Sequence, residues 1–176
     1  MPTAILVIDV QNGFINPSTA DIPARIKSLL DHVAFDNRIF TQFFNPVGSP
    51  YETLIHWTRL RSEEEVAIVA PLQTYPTAVF KKPIYSCVSP EFLHYAKTHG
   101  IREFYLTGID TDSCVLKCAV DLFEAGFKPM VLADCCMSHG GIAAHEAALL
   151  ILPRFIGTEQ VILDSWKHFG ITKSTG

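Results

Sequence analysis

Three stretches of this sequence place groups capable of covalent chemistry just beyond β-rich runs. The first run leads through Ile8, Asp9, Val10, Gln11 and Asn12, with a carboxylate at its carboxyl end. A later run ends in Phe80, Lys81, Lys82 and Pro83, and another passes through Thr107, Gly108, Ile109, Asp110, Thr111, Asp112 and Ser113 into a helical pattern that opens with Cys114. A thiol in the first turn of a helix faces the partial positive charge and unpaired N–H groups of the helix N-terminus, which favours thiolate. The same N–H groups, after a tight turn at Gly108, can bind a developing oxyanion. With Asp9 to move a proton and an ammonium to hold charge, the set is equipped for nucleophilic attack on a carbonyl.

These groups lie where an open parallel sheet binds ligands, beyond the carboxyl ends of its strands. The pattern along the chain predicts such a sheet. Strand-like runs occur at Ala4 to Val10, Arg38 to Phe44, Thr77 to Phe80, Glu103 to Thr107, Pro129 to Ala133 and Gln160 to Leu163. Most are continuously apolar, as expected of parallel strands covered on both faces. Helical spacing appears over Ile22 to Ala34 with Asp21 as the candidate N-cap, over Pro90 to Thr98, from about Ser113 to Gly126, and over Ile142 to Leu152 with Pro153 as the stop. Residues 45 to 76 carry Pro46, Gly48, Pro50, Pro71 and Pro76 and a weak apolar pattern, so loops with one short helix near Glu52 to Leu60 are expected there. No linker, low-complexity gap or internal repeat interrupts the alternation, which predicts one α/β domain over residues 1–176.

Apolar residues at 48% and charged residues at 18% exclude a disordered chain. A net charge of −4 with scattered Lys and Arg supplies no footprint for nucleic acid or anionic lipid, and no apolar stretch approaches a membrane span. The start, Met1-Pro2-Thr3-Ala4, lacks the features of a signal peptide, and the odd count of five cysteines does not form a secreted disulfide framework, so a cytoplasmic location is expected. Taken singly, Asp9 would be a cap or ion-pair partner, Lys82 a solvated charge and Cys114 a small core residue. Cys118 is expected to pack in the core, while of Cys135 and Cys136 one would reach the pocket and the other pack inward. His139 and His145 flank a helix start and are expected to cap or face solvent, being too few for zinc without acidic partners. The aromatics Phe14, Phe43, Phe44, Tyr51, Trp57 and Tyr85 are candidates for a pocket wall or a subunit contact.

Asp9 in VIDVQNGF, Lys82 in KKPIYS and Cys114 in TGIDTDSCV resemble, in order and separation, the three motifs of the isochorismatase-like cysteine hydrolases, a superfamily that includes nicotinamidases and N-carbamoylsarcosine amidases. The resemblance extends to HEAAL at His145 to Leu149 and covers nearly the whole chain. It implies a Rossmann-like three-layer sandwich with a six-stranded, mainly parallel sheet and helices on both faces. It also implies an Asp9, Lys82 and Cys114 triad hydrolysing a C–N bond of a small amide, ureido or carbamoyl compound through a thioester. Lys82 rather than Lys81 corresponds to the family lysine, four residues before Ser86. A cis peptide at Ile109–Asp110 is implied as well, turning the Asp110 N–H, with that of Cys114, toward the oxyanion.

The departures from the family pattern narrow the expectation. Metal-dependent relatives carry an Asp-x-His pair after the second strand, where this chain reads Thr41, Gln42, Phe43, Phe44 and Asn45, so neither metal nor other cofactor is expected. Isochorismatases proper generally lack the cysteine, so Cys114 points to amide rather than vinyl-ether chemistry. Val88 replaces a common aromatic, so specificity does not transfer; Phe14, Phe44 and Tyr85 are the candidates for substrate contact. The partners expected are a small-molecule substrate and further copies of the chain, most simply in a homodimer. The rival readings are a non-catalytic binding or assembly protein that kept the fold, and a redox-responsive thiol protein using Cys114 with Cys118, whose spacing on a helix is poor for an unstrained bridge.

Overall fold

A computed structural model describes residues 2–172. In chain order the elements are β1 (Ala4–Ile8), α1 (Ile22–His32), β2 (Asn37–Phe43), α2 (Pro50–Thr53), α3 (Glu63–Val66), β3 (Ala78–Lys82), α4 (Pro90–Thr98) and β4 (Glu103–Ile109). A π-helical turn, Thr111–Val115, then runs directly into α5 (Leu116–Glu124), followed by β5 (Lys128–Met137), α6 (Ile142–Ile156), β6 (Val161–Ile162) and α7 (Ser165–His168). The six strands lie in the order β3-β2-β1-β4-β5-β6 with every ladder parallel. The order reverses direction between β1 and β4, which opens a crevice beyond their carboxyl ends.

Alternation along β1 shows how the three layers are held. Ile5 and Val7 join the core that packs against Ile22, Ile26, Leu29 and Leu30 of α1. Ala4, Leu6 and Ile8 point the other way, into a core shared with Phe92 and Ala96 of α4, Cys118, Ala119 and Leu122 of α5, and Leu152 and Ile156 of α6. All five β1 residues are buried, as its continuous apolar run requires of a central strand. Each large aliphatic side chain so buried contributes roughly 1.5–3 kcal/mol. The edge strand β3 instead alternates, and only Lys82 at its end is fully buried.

Several expected boundaries move, each for a local reason. Asp21 precedes α1 but is itself helical and makes no side-chain cap; Pro23 in the first turn presets the backbone instead, and the helix ends at His32 because Val33 is extended. Pro153 does not end α6, which continues to Ile156. A proline there forfeits a single i→i−4 bond, while Leu152 and Ile156, buried on the sheet, hold the last turn in place.

The stretch expected to hold one helix over 52–60 holds two single turns. Ser49 caps Glu52 and Ser62 caps Glu65 through their hydroxyl oxygens, and positive φ at His56 and Leu60 breaks the chain between them. This loop is tied to the strand ends. Gln11 Nε2 donates to Phe43 O at 2.8 Å and to Val66 O at 2.7 Å, and Gln11 Oε1 accepts from the Phe43 N–H at 2.8 Å. Among the described residues no helix is long and apolar enough to cross a membrane.

Candidate active site

The strand order and register bring Asp9, Lys82 and Cys114 together. Asp9 follows β1, Lys82 closes β3, and Cys114 lies in the turn after β4. Adjacent residues on a strand point to opposite faces, so Lys82 turns inward with a side chain 5% exposed while Lys81 is exposed. Lys82 Nζ lies 2.6 Å from Asp9 Oδ2 and 3.6 Å from Cys114 Sγ. It also donates to the carbonyls of Ile84 at 3.1 Å and Tyr85 at 2.9 Å, so three ammonium protons are shared among four acceptors. Asp9 has no exposed surface, and its Oδ1 accepts the Thr41 hydroxyl at 2.6 Å while its own N–H donates to Thr41 Oγ1 at 3.1 Å.

Gly108 sets the gap between the β1 and β4 halves. Its φ is +122°, and a Cβ there would lie 2.1 Å from the Ile8 carbonyl oxygen, so no residue with a side chain fits this approach. The next peptide, Ile109–Asp110, is cis.

Electrostatics divide the proton inventory. Burial disfavours charge on Lys82, but the Asp9 carboxylate beside it outweighs burial and holds the ammonium well above the ordinary lysine range. Burial, then the Asp9 charge, pushes the Cys114 thiol well above the ordinary cysteine range, with Lys82 opposing. Burial therefore works against the thiolate that the helix N-terminus was expected to favour. Cys114 sits in a π turn ahead of α5 rather than in a first α-helical turn, is buried, and rests as a thiol.

Of the three, Cys114 faces a cavity of about 320 Å³, near the lower bound for small-molecule sites. Its apolar wall is Phe14, Phe43, Tyr51, Ile55, Trp57 and Tyr85, and its polar lining includes Cys114, Asp110, Asp112, Ser113, Ser138 and His139. Phe14 and Trp57 are near parallel at 14°, with centroids 5.9 Å apart, and Tyr51 meets Tyr85 edge-on at 5.1 Å. Burial lifts the Tyr51 phenol to about 12, which keeps it neutral. Phe14 and Tyr85 line the cavity as candidates for substrate contact. Phe44 does not: it faces out at 37% exposure and Phe43 takes the place. Phe43 is the register partner of Lys82, so its side chain shares the inner face, with Lys82 Nζ 5.4 Å from its ring centroid.

The other singled-out residues are structural, with one exception. Cys118 is buried; its sulfur accepts from the Cys87 N–H at 3.3 Å and lies 3.7 Å from the Tyr85 carbonyl. Neither Cys135 nor Cys136 reaches the cavity, because β5 continues through Met137 and sends them into opposite cores. His145 is buried and shares a 2.7 Å hydrogen bond with Thr111 Oγ1, anchoring the π turn to α6. His139 is the exception: it does not cap a helix but pairs with Asp110, whose side chain the sequence reading had not used. Thr41, the partner of Asp9, was likewise missed, and a buried hydroxyl on the strand beside β1 was the available signal.

A metal-dependent relative's ligand pair has no counterpart in these side chains. Phe43 offers a ring, and Asn45 Nδ2 donates to Trp57 O at 3.0 Å and Arg59 O at 3.1 Å while its Oδ1 accepts from Ser49 at 2.5 Å. Among the described residues, no three His, Cys, Asp or Glu side chains converge as a metal would need.

An open parallel sheet with a buried carboxylate, ammonium and thiol gathered at its switch point defines a class of small α/β proteins. The isochorismatase domain family matches residues 3–158, and the chain belongs to this family of isochorismatase-like hydrolases. A nicotinamidase from Acinetobacter baylyi is 26% identical over 171 residues, covering 76% of this chain and 80% of that protein. Among solved structures, an isochorismatase-like hydrolase from Alkaliphilus metalliredigens superimposes with a TM-score of 0.82 at 20% identity, covering 97% of this chain and all of that one (100%). N-carbamoylsarcosine amidase from Thermoplasma acidophilum does so with a TM-score of 0.75 at 15% identity, covering 92% and 95%. At these identities the solved structures attest the fold.

Proposed function

We propose that the protein is a cysteine-dependent amidohydrolase that cleaves a C–N bond in a small planar amide, ureido or carbamoyl compound. The observation that carries this reading is Cys114 at the wall of an aromatic cavity with Asp9 and Lys82 buried behind it, Lys82 Nζ touching both the carboxylate and the sulfur. Because the resting sulfur is protonated, attack requires a base, and Asp9 is the carboxylate of the cluster. Asp9 takes the thiol proton as sulfur adds to the carbonyl carbon, and Lys82 stays charged and steadies the anion that forms. The N–H groups of Asp110 and Cys114 hold the oxyanion. The C–N bond then breaks with the proton passing from Asp9 to the departing nitrogen, leaving a thioester. Water attacks the thioester, Asp9 accepts its proton, and the sulfur leaves and is reprotonated. The Asp9, Lys82 and Cys114 side chains supply the proton transfer and the nucleophile for each step, without a cofactor.

The nicotinamidase relative named above supports an amide substrate. The test is a screen of small primary amides, ureides and carbamates for ammonia release, run beside Cys114→Ala. Release that depends on Cys114 is expected, with a transient acyl-enzyme mass on Cys114 when water attack is slow. Turnover that survives in Cys114→Ala would overturn the mechanism, and no turnover across the three classes would overturn the function.

A further inference from the structure

On the β5 side of the cavity lies a second polar group that the proposed chemistry does not use. His139 follows β5 and is fixed from three directions. Its backbone N–H donates to Asp110 Oδ1 at 2.7 Å, and its ring Nδ1 pairs with Asp110 Oδ2. Its carbonyl accepts from Asn16 Nδ2 at 2.8 Å, and the Phe14 ring stands 5.7 Å away, centroid to centroid. Asp110 is buried, with a side chain 6% exposed, whereas the His139 side chain is 41% exposed and lines the cavity. With Nδ1 held by the carboxylate, Nε2 is the ring nitrogen left for a ligand, and it has no hydrogen-bond partner among the described residues.

We propose that His139, oriented by Asp110, is a specificity residue whose Nε2–H donates to an acceptor atom on the substrate, so that the pocket selects small planar amides bearing a ring nitrogen, carbonyl or carboxylate besides the scissile group. This deepens the amidohydrolase reading and rests on it for the word substrate. The charged groups around the ring favour a donor. The hydrogen bond to Asp110 is the largest influence and raises the His139 pKa, the charges of Asp110 and Asp112 add to it, and burial and Arg59 oppose. Nearby, Ser138 Oγ accepts from the Gly140 N–H at 3.0 Å and offers a neutral hydroxyl, so the protonated imidazole is the donor at this end whose strength depends on pH. When the ring loses its proton, Nδ1–H stays with Asp110 and Nε2 becomes an acceptor. Affinity for acceptor-bearing ligands is therefore present below the raised pKa and lost as pH rises through it.

Binding can be read apart from turnover by working in Cys114→Ala. Calorimetric Kd values for benzamide, pyridine-3-carboxamide and 3-carbamoylbenzoate at mildly acidic pH compare one ligand without the acceptor with two that carry it. Adding His139→Leu is expected to weaken the two acceptor-bearing probes by about tenfold or more, as for loss of a hydrogen bond to a charged group, and to leave benzamide unchanged. His139→Gln keeps an N–H donor and should restore part of the affinity while removing its pH dependence. Asp110→Asn should move the loss of affinity to lower pH. Equal weakening of all three probes, no weakening, or no binding of the acceptor-bearing pair would overturn the proposal. If the binding pattern holds but the unsubstituted protein hydrolyses none of the three, the amidohydrolase reading is damaged and the role of His139 is not.

Discussion

The two sides of the cavity are built on different principles. The chemistry-bearing side consists of strand ends: Asp9, Lys82 and Cys114 are 0–4% exposed and are placed by parallel register and a single glycine contact. The other side is loop and rim: Trp57 and Tyr85 come from irregular segments, and the His139 ring is oriented by the Asp110 carboxylate. On the first side a substitution disturbs buried charge and the fold with it. On the second it alters what fits. For the proposed chemistry, the difference teaches that reaction and selectivity would be separable, the sheet fixing one and side chains on loops the other.

The largest expected effect tests the strand side. Asp9→Asn and Cys114→Ala should each lower kcat by about 10⁴-fold on a substrate found by the amide screen, since removing one member of a concerted set costs nearly as much as removing all. A loss below about tenfold in either would place the chemistry elsewhere. Next, Lys82→Ala strands the buried Asp9 carboxylate and should cost roughly 3–5 kcal/mol in chemical denaturation. The exposed neighbour should behave otherwise, with Lys81→Ala staying within about 0.5 kcal/mol. Similar losses for the two lysines would contradict the inward turn of Lys82.

A third prediction separates proton affinity from catalysis. The Asp9 charge raises the Cys114 pKa and Lys82 lowers it. At neutral pH, Asp9→Asn should therefore speed iodoacetamide labelling of Cys114 by several-fold while abolishing turnover, and Lys82→Ala should slow labelling. Peptide mass spectrometry over a pH series reads both, and changes of the same sign would sink the assignment. On the rim side, Trp57→Ala should raise KM about tenfold with kcat little changed. The smallest effect belongs to Phe44→Ala, expected to leave KM within about twofold, whereas Phe43→Ala should not be silent. A substantial KM change on removal of Phe44 would mean that the cavity extends past the wall described above.

Much of the strand side was legible in the sequence because periodicity encodes it. Continuous apolar runs gave the parallel sheet, and alternation required one of Lys81 and Lys82 to turn inward, while the family resemblance chose Lys82. The same logic applied across β2 and β3 would have chosen Phe43 over Phe44, but that requires the register Phe43↔Lys82, which one strand alone does not reveal. The pull of burial on the Cys114 proton was not legible, because a helix N-terminus is visible in sequence and burial is not. In the loop, two Ser-x-x-Glu boxes at Ser49 and Ser62 were available as helix starts and were overlooked among the prolines. The pairing of Asp110 with His139 spans separate strands and has no local signature.

The contact at Gly108 has a practical consequence for anyone wishing to redesign this protein. With an added carbon there coming within 2.1 Å of a backbone oxygen, the spacing between the β1 and β4 halves has no adjustable part. A larger guest molecule cannot be accommodated by prising those strands apart without also separating Asp9 from Cys114. Room has to be carved from the hinterland of Ile55, Trp57 and Tyr85, where shaving a side chain leaves the strand register alone. Libraries that randomise those positions and leave residue 108 untouched would explore new guests on an undisturbed workbench.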